Sequence, residues 1–153
     1  VETLAYVNPT SDIFIKYLFG KEEHKPILLD FINAVLKNAD FSLITDLEIR
    51  NPFNIKSVVN EKESILDIKA RAENGRWYNI EVQSTDKGAF AERSLYYWSK
   101  IYGGQLDTGE PYAKLCAVIC INILNFVLVK DTERSHLCFM LCEKDSPELI
   151  LTD

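Results

Sequence analysis

The stretch SILDIKARAENGRWYNIEVQ, Ser64 to Gln83, places a turn between two alternating arms, and the register of those arms decides the fold. Asp67, Lys69 and Arg71 alternate with apolar residues on the first arm, and Asn79, Glu81 and Gln83 do so on the second. Such alternation marks strands with one buried face. The central ENGR invites a tight two-residue Asn-Gly turn. That turn would pair Asp67 with Val82 and Ile68 with Glu81, setting polar beside apolar at every step. A three-residue loop, Glu73-Asn74-Gly75, instead pairs Ile68 with Ile80, Ala70 with Tyr78, Lys69 with Asn79 and Arg71 with Trp77. A one-residue slip flips every side chain, so the cleaner sorting selects the longer loop, with Gly75 left-handed in a bulge.

This register sets Asp67 directly across from Glu81, with α-carbons about 4.5–5.5 Å apart. Opposed like charges destabilise a sheet unless a cation, a raised pKa or a metal ion compensates. Lys69, diagonal to Glu81, offers a salt-bridge cluster as one solution. The other is a divalent ion. Oxygen ligands without histidine suit Mg²⁺ or Mn²⁺, which keep waters and accept phosphate oxygens. Spacing alone leaves both open.

Outward from the hairpin, TSDIFIKYLFG reads as a short helix capped by Thr10 or Ser11 and closed by Gly20, with Ile13, Phe14, Tyr17 and Leu18 on one face. A second helix from about Lys25 tolerates Pro26 in its first turn and carries Ile27, Leu28, Phe31, Ile32 and Val35 as its stripe. SLITDLEIR is a strand. GAFAERSLYYWSKIYGGQL returns to helical spacing, with Phe90, Leu95, Trp98 and Ile101 or Tyr102 inward and Glu92, Arg93 and Lys100 more exposed. KLCAVICINILNF is apolar enough for a central strand buried on both faces, and SHLCFMLCE reads as one more strand. The order α-α-β-β-β-α-β-β predicts an α/β fold, a mixed central sheet flanked by helices.

At 153 residues the chain has room for one domain with a proper core. We read residues 1–153 as that single domain, a C-terminally truncated fragment of a longer protein. No apolar run is long enough for a membrane helix, and the start lacks a signal-peptide pattern. Cys116 and Cys120, like Cys138 and Cys142, stand four apart in strand-like runs, about 13 Å along a strand and too far to bond or chelate within a pair. Free core thiols in a reducing, cytoplasmic compartment are the expectation, with a joint site at His136 as the alternative. The net charge of −6 argues against coating nucleic acid by bulk electrostatics. Yet residues 50–100 hold nine Lys/Arg against seven Asp/Glu, or +2, while the remainder holds eight against sixteen, or −8.

An Asp on one strand, then Glu-x-Lys or Glu-x-Gln on the next, is the motif of the PD-(D/E)XK nucleases. The chain resembles one branch of them, the transposases and recombination-promoting nucleases. The segments that carry the resemblance run in the family's order from Thr10 to Phe126: SDIFIKYLFG, ILLDFINAVL, LEIRNPF, LDIKARAENGRWYNIEVQ, ERSLYYWSKIYGGQLDTGEPY and VICINILNF. The resemblance implies a restriction-endonuclease-like core and Mg²⁺- or Mn²⁺-dependent cleavage of DNA phosphodiesters, associated with recombination or mobile elements. By position, Asp67 and Glu81 match the metal-binding acids, and the carbonyl of Val82 would add a ligand. Gln83 matches the last motif position, lysine in the parent superfamily and often glutamine in this branch. An amide has no accessible ionised form, so it orients rather than exchanges protons. Lys69 either replaces the missing ammonium or simply pairs with the acids. Arg93 and Lys16 are the candidates for substrate phosphate, against ordinary exposed roles. Asp12 either adds an acid near the metal or caps its helix. A homo-oligomer is compatible with this reading.

Other chemistries find little support. Only His24 and His136 are present, outside any metalloprotease or triad pattern, and there is no phosphate-cradling Gly-rich loop. The competing reading of the same fold is a catalytically inactive domain that binds DNA or a protein partner.

Overall fold

The computed structural model describes residue 8, residues 10–50 and residues 68–151. The hairpin consists of β2, Ile68–Ala72, and β3, Trp77–Gln83. Its pairs are Ile68 with Ile80, Lys69 with Asn79, Ala70 with Tyr78 and Arg71 with Trp77, the register of the three-residue loop. Ala72 N–H donates to the Arg76 carbonyl at 2.9 Å, and Gly75 N–H to the Ala72 carbonyl at 3.0 Å. Gly75 has φ +87°, the left-handed conformation that the loop demands. Asp67, and with it the expected Asp67–Glu81 pair, lies outside the described residues.

β1, Leu47–Ile49, pairs antiparallel with β2, and β4, Val118–Leu124, runs parallel to β3. The sheet order is β1-β2-β3-β4. The helix Phe90–Gly103, here α3, makes the crossover that a parallel pair requires. α1, Asp12–Phe19, and α2, Lys25–Asn38, pack on the other side. The core lies between these two helices and one face of the sheet: Ile15, Phe19, Leu28, Ile32 and Leu36 meet Ile68, Ala70, Tyr78, Ile80, Val82 and Ile121. The result is a mixed sheet flanked by helices, consistent with a restriction-endonuclease-like fold.

Three carboxylate or amide groups tie loops to this frame. Asn33 uses its amide as a strand would, donating Nδ2 to the Ile44 carbonyl and accepting the Ile44 N–H on Oδ1, both at 2.9 Å. Gln105 repeats the device on Cys116, at 2.8 and 3.0 Å. The Glu73 carboxylate, in the hairpin loop, accepts from Thr45 N–H at 2.8 Å, Thr45 Oγ1 at 2.9 Å and Asp46 N–H at 3.2 Å.

Several expectations need correction. α1 turns Ile15 and Phe19 inward and leaves Ile13 and Tyr17 exposed, while α2 buries Leu28, Ile32 and Leu36 and exposes Ile27. In each case apolar residues cover more than one side of the helix, so the pattern did not single out the buried stripe. Leu95 on α3 is likewise exposed, and Arg93 turns partly inward instead. β4 is the end strand of the described sheet, not a central one. Its apolar run serves α3 on one face and the core, through Ile121, on the other, although most of its residues are only half-buried; cover on two faces does not require two neighbouring strands. SHLCFMLCE forms no strand; Cys142 makes only an isolated bridge to Ile150. Alternation yields a strand only where a sheet edge can hydrogen-bond it. Cys138 and Cys142 are therefore exposed rather than core thiols, and Cys116 and Cys120 are half-buried; all four are free.

Candidate active site

On β2 and β3 the even-numbered side chains fill the core, so the odd-numbered ones share the opposite face. Trp77, Asn79, Glu81 and Gln83 stand there in a row, with Lys69 and Arg71 beside them on β2. This face is not simply solvated: Asn79 is 1% exposed and Glu81 7%. Burying a carboxylate is costly unless charge or hydrogen bonds compensate, and the compensation comes from α3.

After β3, Gly88 and Ala89 take left-handed conformations in succession, φ +75° and +51°, and turn the chain back into α3. Ala89 holds this position against its Cβ, a local strain of about 1–2 kcal/mol. The first turn of α3 then reaches the end of β3. Arg93 Nη2 donates to Gln83 Oε1 at 2.6 Å, and Gln83 Nε2 donates to Glu81 Oε1 at 3.0 Å. The Arg93 guanidinium lies 4.0 Å from the same Glu81 oxygen and 5.4 Å from the centre of the Phe90 ring. Because Arg93 can only donate, the Gln83 oxygen must face it, which leaves the amide NH₂ for the carboxylate. A guanidinium, an amide and a carboxylate thus form one directed chain.

Two further residues complete the surroundings. Asn122 pairs with Glu81 across the parallel ladder, and its Nδ2 donates to Ser94 Oγ on α3 at 3.1 Å. The buried oxygens Asn79 Oδ1 and Asn122 Oδ1, and the buried Arg93 Nε, find no hydrogen-bond partner among the described residues. Polar atoms so placed call for water or a bound group. Sequence reading missed Asn122 and Ser94. The available signal was Asn122 itself, an amide within the apolar run VICINIL.

The predicted site residues divide accordingly. Glu81, Gln83 and Arg93 are brought together. Lys69 is half-buried on the same face, opposite Asn79 and diagonal to Glu81. The Val82 side chain belongs to the core, so only its carbonyl is open to a functional role. Lys16 is half-buried on α1, next to the core residue Ile15. Nothing is described of the Asp12 side chain, nor of Asp67. Among the described residues no three His, Cys, Asp or Glu side chains cluster. The oxygen donors on this face, the Glu81 carboxylate and the two unspent asparagine oxygens, nonetheless match in kind what a hard divalent cation takes.

No curated protein and no solved structure gives a significant match to the chain. A family model does: residues 9–153 match the PD-(D/E)XK nuclease family transposases. The matched span contains the described sheet, the three described α-helices and the Glu81–Gln83–Arg93 chain, and the protein belongs to this family.

Proposed function

We propose that the protein is a metal-dependent DNA endonuclease that hydrolyses phosphodiesters, in keeping with a role in recombination or mobile elements. The observation that supports this best is the buried Glu81 on β3, joined through Gln83 to Arg93 on α3, in a chain that belongs to this nuclease family. Glu81, the carbonyl of Val82 and Asp67 are the residues that would hold Mg²⁺ or Mn²⁺. A divalent cation there supplies Lewis acidity, which makes water a better nucleophile and offsets charge on the phosphate.

The chain's own residues then have defined tasks. Glu81 provides the fixed negative charge. Gln83 holds that carboxylate in one orientation and cannot itself take a proton. Arg93 sets the direction of the Gln83 amide and carries positive charge to the place where the parent motif has lysine. Lys69 stands as the candidate for the missing motif ammonium, and Lys16, with Arg93, as the candidate for substrate phosphate. Gln83 in the lysine position also favours a second reading, a catalytically inactive domain that binds DNA or a protein.

Nicking of supercoiled plasmid separates the two. The wild-type chain is expected to nick with Mg²⁺ or Mn²⁺ and not with EDTA. Glu81→Gln and Asp67→Asn should each lower the rate at least about 100-fold, the scale for loss of one preorganised electrostatic group. Far-ultraviolet circular dichroism should stay unchanged. A wild type silent with both metals, or variants that cut at the wild-type rate, would defeat the proposal.

A further inference from the structure

The part of the polar face away from α3 carries a second pattern. Arg50 N–H donates to the Lys69 carbonyl at 2.8 Å, which extends the β1–β2 ladder one step and sets these two cations opposite each other. Arg71 follows on β2, two residues from Lys69 and opposite both Glu48 and Trp77. Like charges opposed on a sheet are destabilising, and here three cations adjoin. Trp77 is near two of them: the guanidinium carbons of Arg50 and Arg71 stand 5.8 and 5.7 Å from its ring centre. Cation–π attraction thereby holds both guanidiniums toward one point despite their repulsion.

Among the described residues, the acids near Arg50 and Arg71 are engaged elsewhere or bound loosely. Asp46 pairs with Lys25 at 2.6 Å, and Glu73 is occupied by Thr45 and Asp46. Glu48 meets Arg50 at 3.0 Å, but its side chain is 62% exposed, a surface pair that a stronger anion can displace. Arg50 and Arg71 are exposed, and α3 packs chiefly on β4, so among the described residues no helix covers this part of the face.

From this arrangement we infer that Arg50 and Arg71, converging on Trp77, grip the phosphate backbone of duplex DNA and lead it along β3 toward Glu81. Four residue steps of strand lead from Trp77 to Glu81, about 13 Å, or roughly four base-pair steps along a duplex axis. Charge complementarity selects the partner. In a chain of net charge −6, this is a place where cations are gathered against their own repulsion. Planar guanidiniums pair with phosphate through two parallel hydrogen bonds. The identity of the polymer rests on the nuclease reading; the grip itself does not require cleavage.

The test is binding of a fluorescein-labelled mixed-sequence DNA duplex to the full chain in EDTA, followed by anisotropy over a salt series. Arg50→Gln and Arg71→Gln should each weaken binding about three- to tenfold and reduce the slope of log K against log salt by about 1. Arg71→Lys should restore the slope but not all of the affinity. Trp77→Leu should weaken binding with the slope retained, and Lys37→Gln, on α2, should change nothing. Circular dichroism confirms that each variant is folded. Unaltered affinity and slope in both arginine variants would overturn the inference, as would a wild-type chain that ignores duplex DNA or prefers an RNA duplex. Arginine-dependent binding without any cleavage would sink the nuclease reading alone. Cleavage with arginine-independent binding would sink this one alone.

Discussion

Gly75 shows how much of the site depends on a residue with no side chain of its own. Its φ of +87° is open to glycine and strained for any other residue. An added Cβ would also stand 2.9 Å from Cys116 Sγ, well inside contact distance. Gly75→Ala is therefore expected to destabilise the fold by about 1–3 kcal/mol, measured by urea unfolding. Cys116→Ala in the same chain should recover the steric part and leave the backbone part. The consequence reaches Glu81 because the bulged loop sets the β2–β3 register. Were the loop to tighten by one residue, the two strands would set polar against apolar throughout. Arg93 illustrates the opposite case. Its partner could not be foreseen, since helical spacing gave it an exposed position and nothing local announces that α3 folds back over Gln83.

Between elements, short polar side chains take over work usually done by the backbone. The Asn33 amide satisfies both polar groups of Ile44 and so fixes the chain entering β1 against α2. Asn33→Ala leaves a part-buried N–H and carbonyl without this partner and should cost about 1–3 kcal/mol. Asn33→Asp keeps the acceptor but loses the donor and sets a negative charge against the Ile44 carbonyl, so it should fall at least as far; thermal unfolding of both variants checks the point. At this scale the sequence was informative wherever the period was clean. The hairpin register, three helices and the sheet's mixed character could be read from alternation and spacing. The errors arose where one signal has two physical causes. A continuous apolar run marks cover on two faces, which the crossover helix and the core supply to β4 with no further strand beside it among the described residues. An alternating run such as SHLCFMLCE marks a strand only if an edge is there to receive it. Within the site, Glu81 and Gln83 could be read from the strand, whereas Asn122 and Ser94 meet them only through the parallel ladder and the crossover, contacts that join distant segments.

For the molecule as a whole, titration should narrow stability from both ends. Hydrogen bonding to Lys25 and the Leu47 amide holds Asp46 below its ordinary 3.8, and backbone and hydroxyl donors at Thr45 hold Glu73 below 4.5. Groups lowered on folding contribute stability above their unfolded values and lose it as pH falls, so unfolding should become easier below about pH 4.5. At the other end, burial pushes the Tyr78 phenol above its ordinary 10.0. A group raised on folding contributes fully below its unfolded value, so stability should decline above about pH 10. Denaturant midpoints across both ranges test this, and Tyr78→Phe should flatten the alkaline decline while leaving the acid one. Tyr78 belongs to the core and Glu81 to the opposite face, yet they are only three residues apart. Because paired residues of β2 and β3 sum to an even number, parity acts as an address on both strands: even positions bear on whether the chain folds, odd positions on what the folded chain can hold. The address inverts on the outer strands, where Leu47 and Ile49 of β1 are odd and face the core while Asn122 of β4 is even and faces Glu81. Substitutions on this sheet can thus be sorted into defects of folding and defects of chemistry from residue number alone.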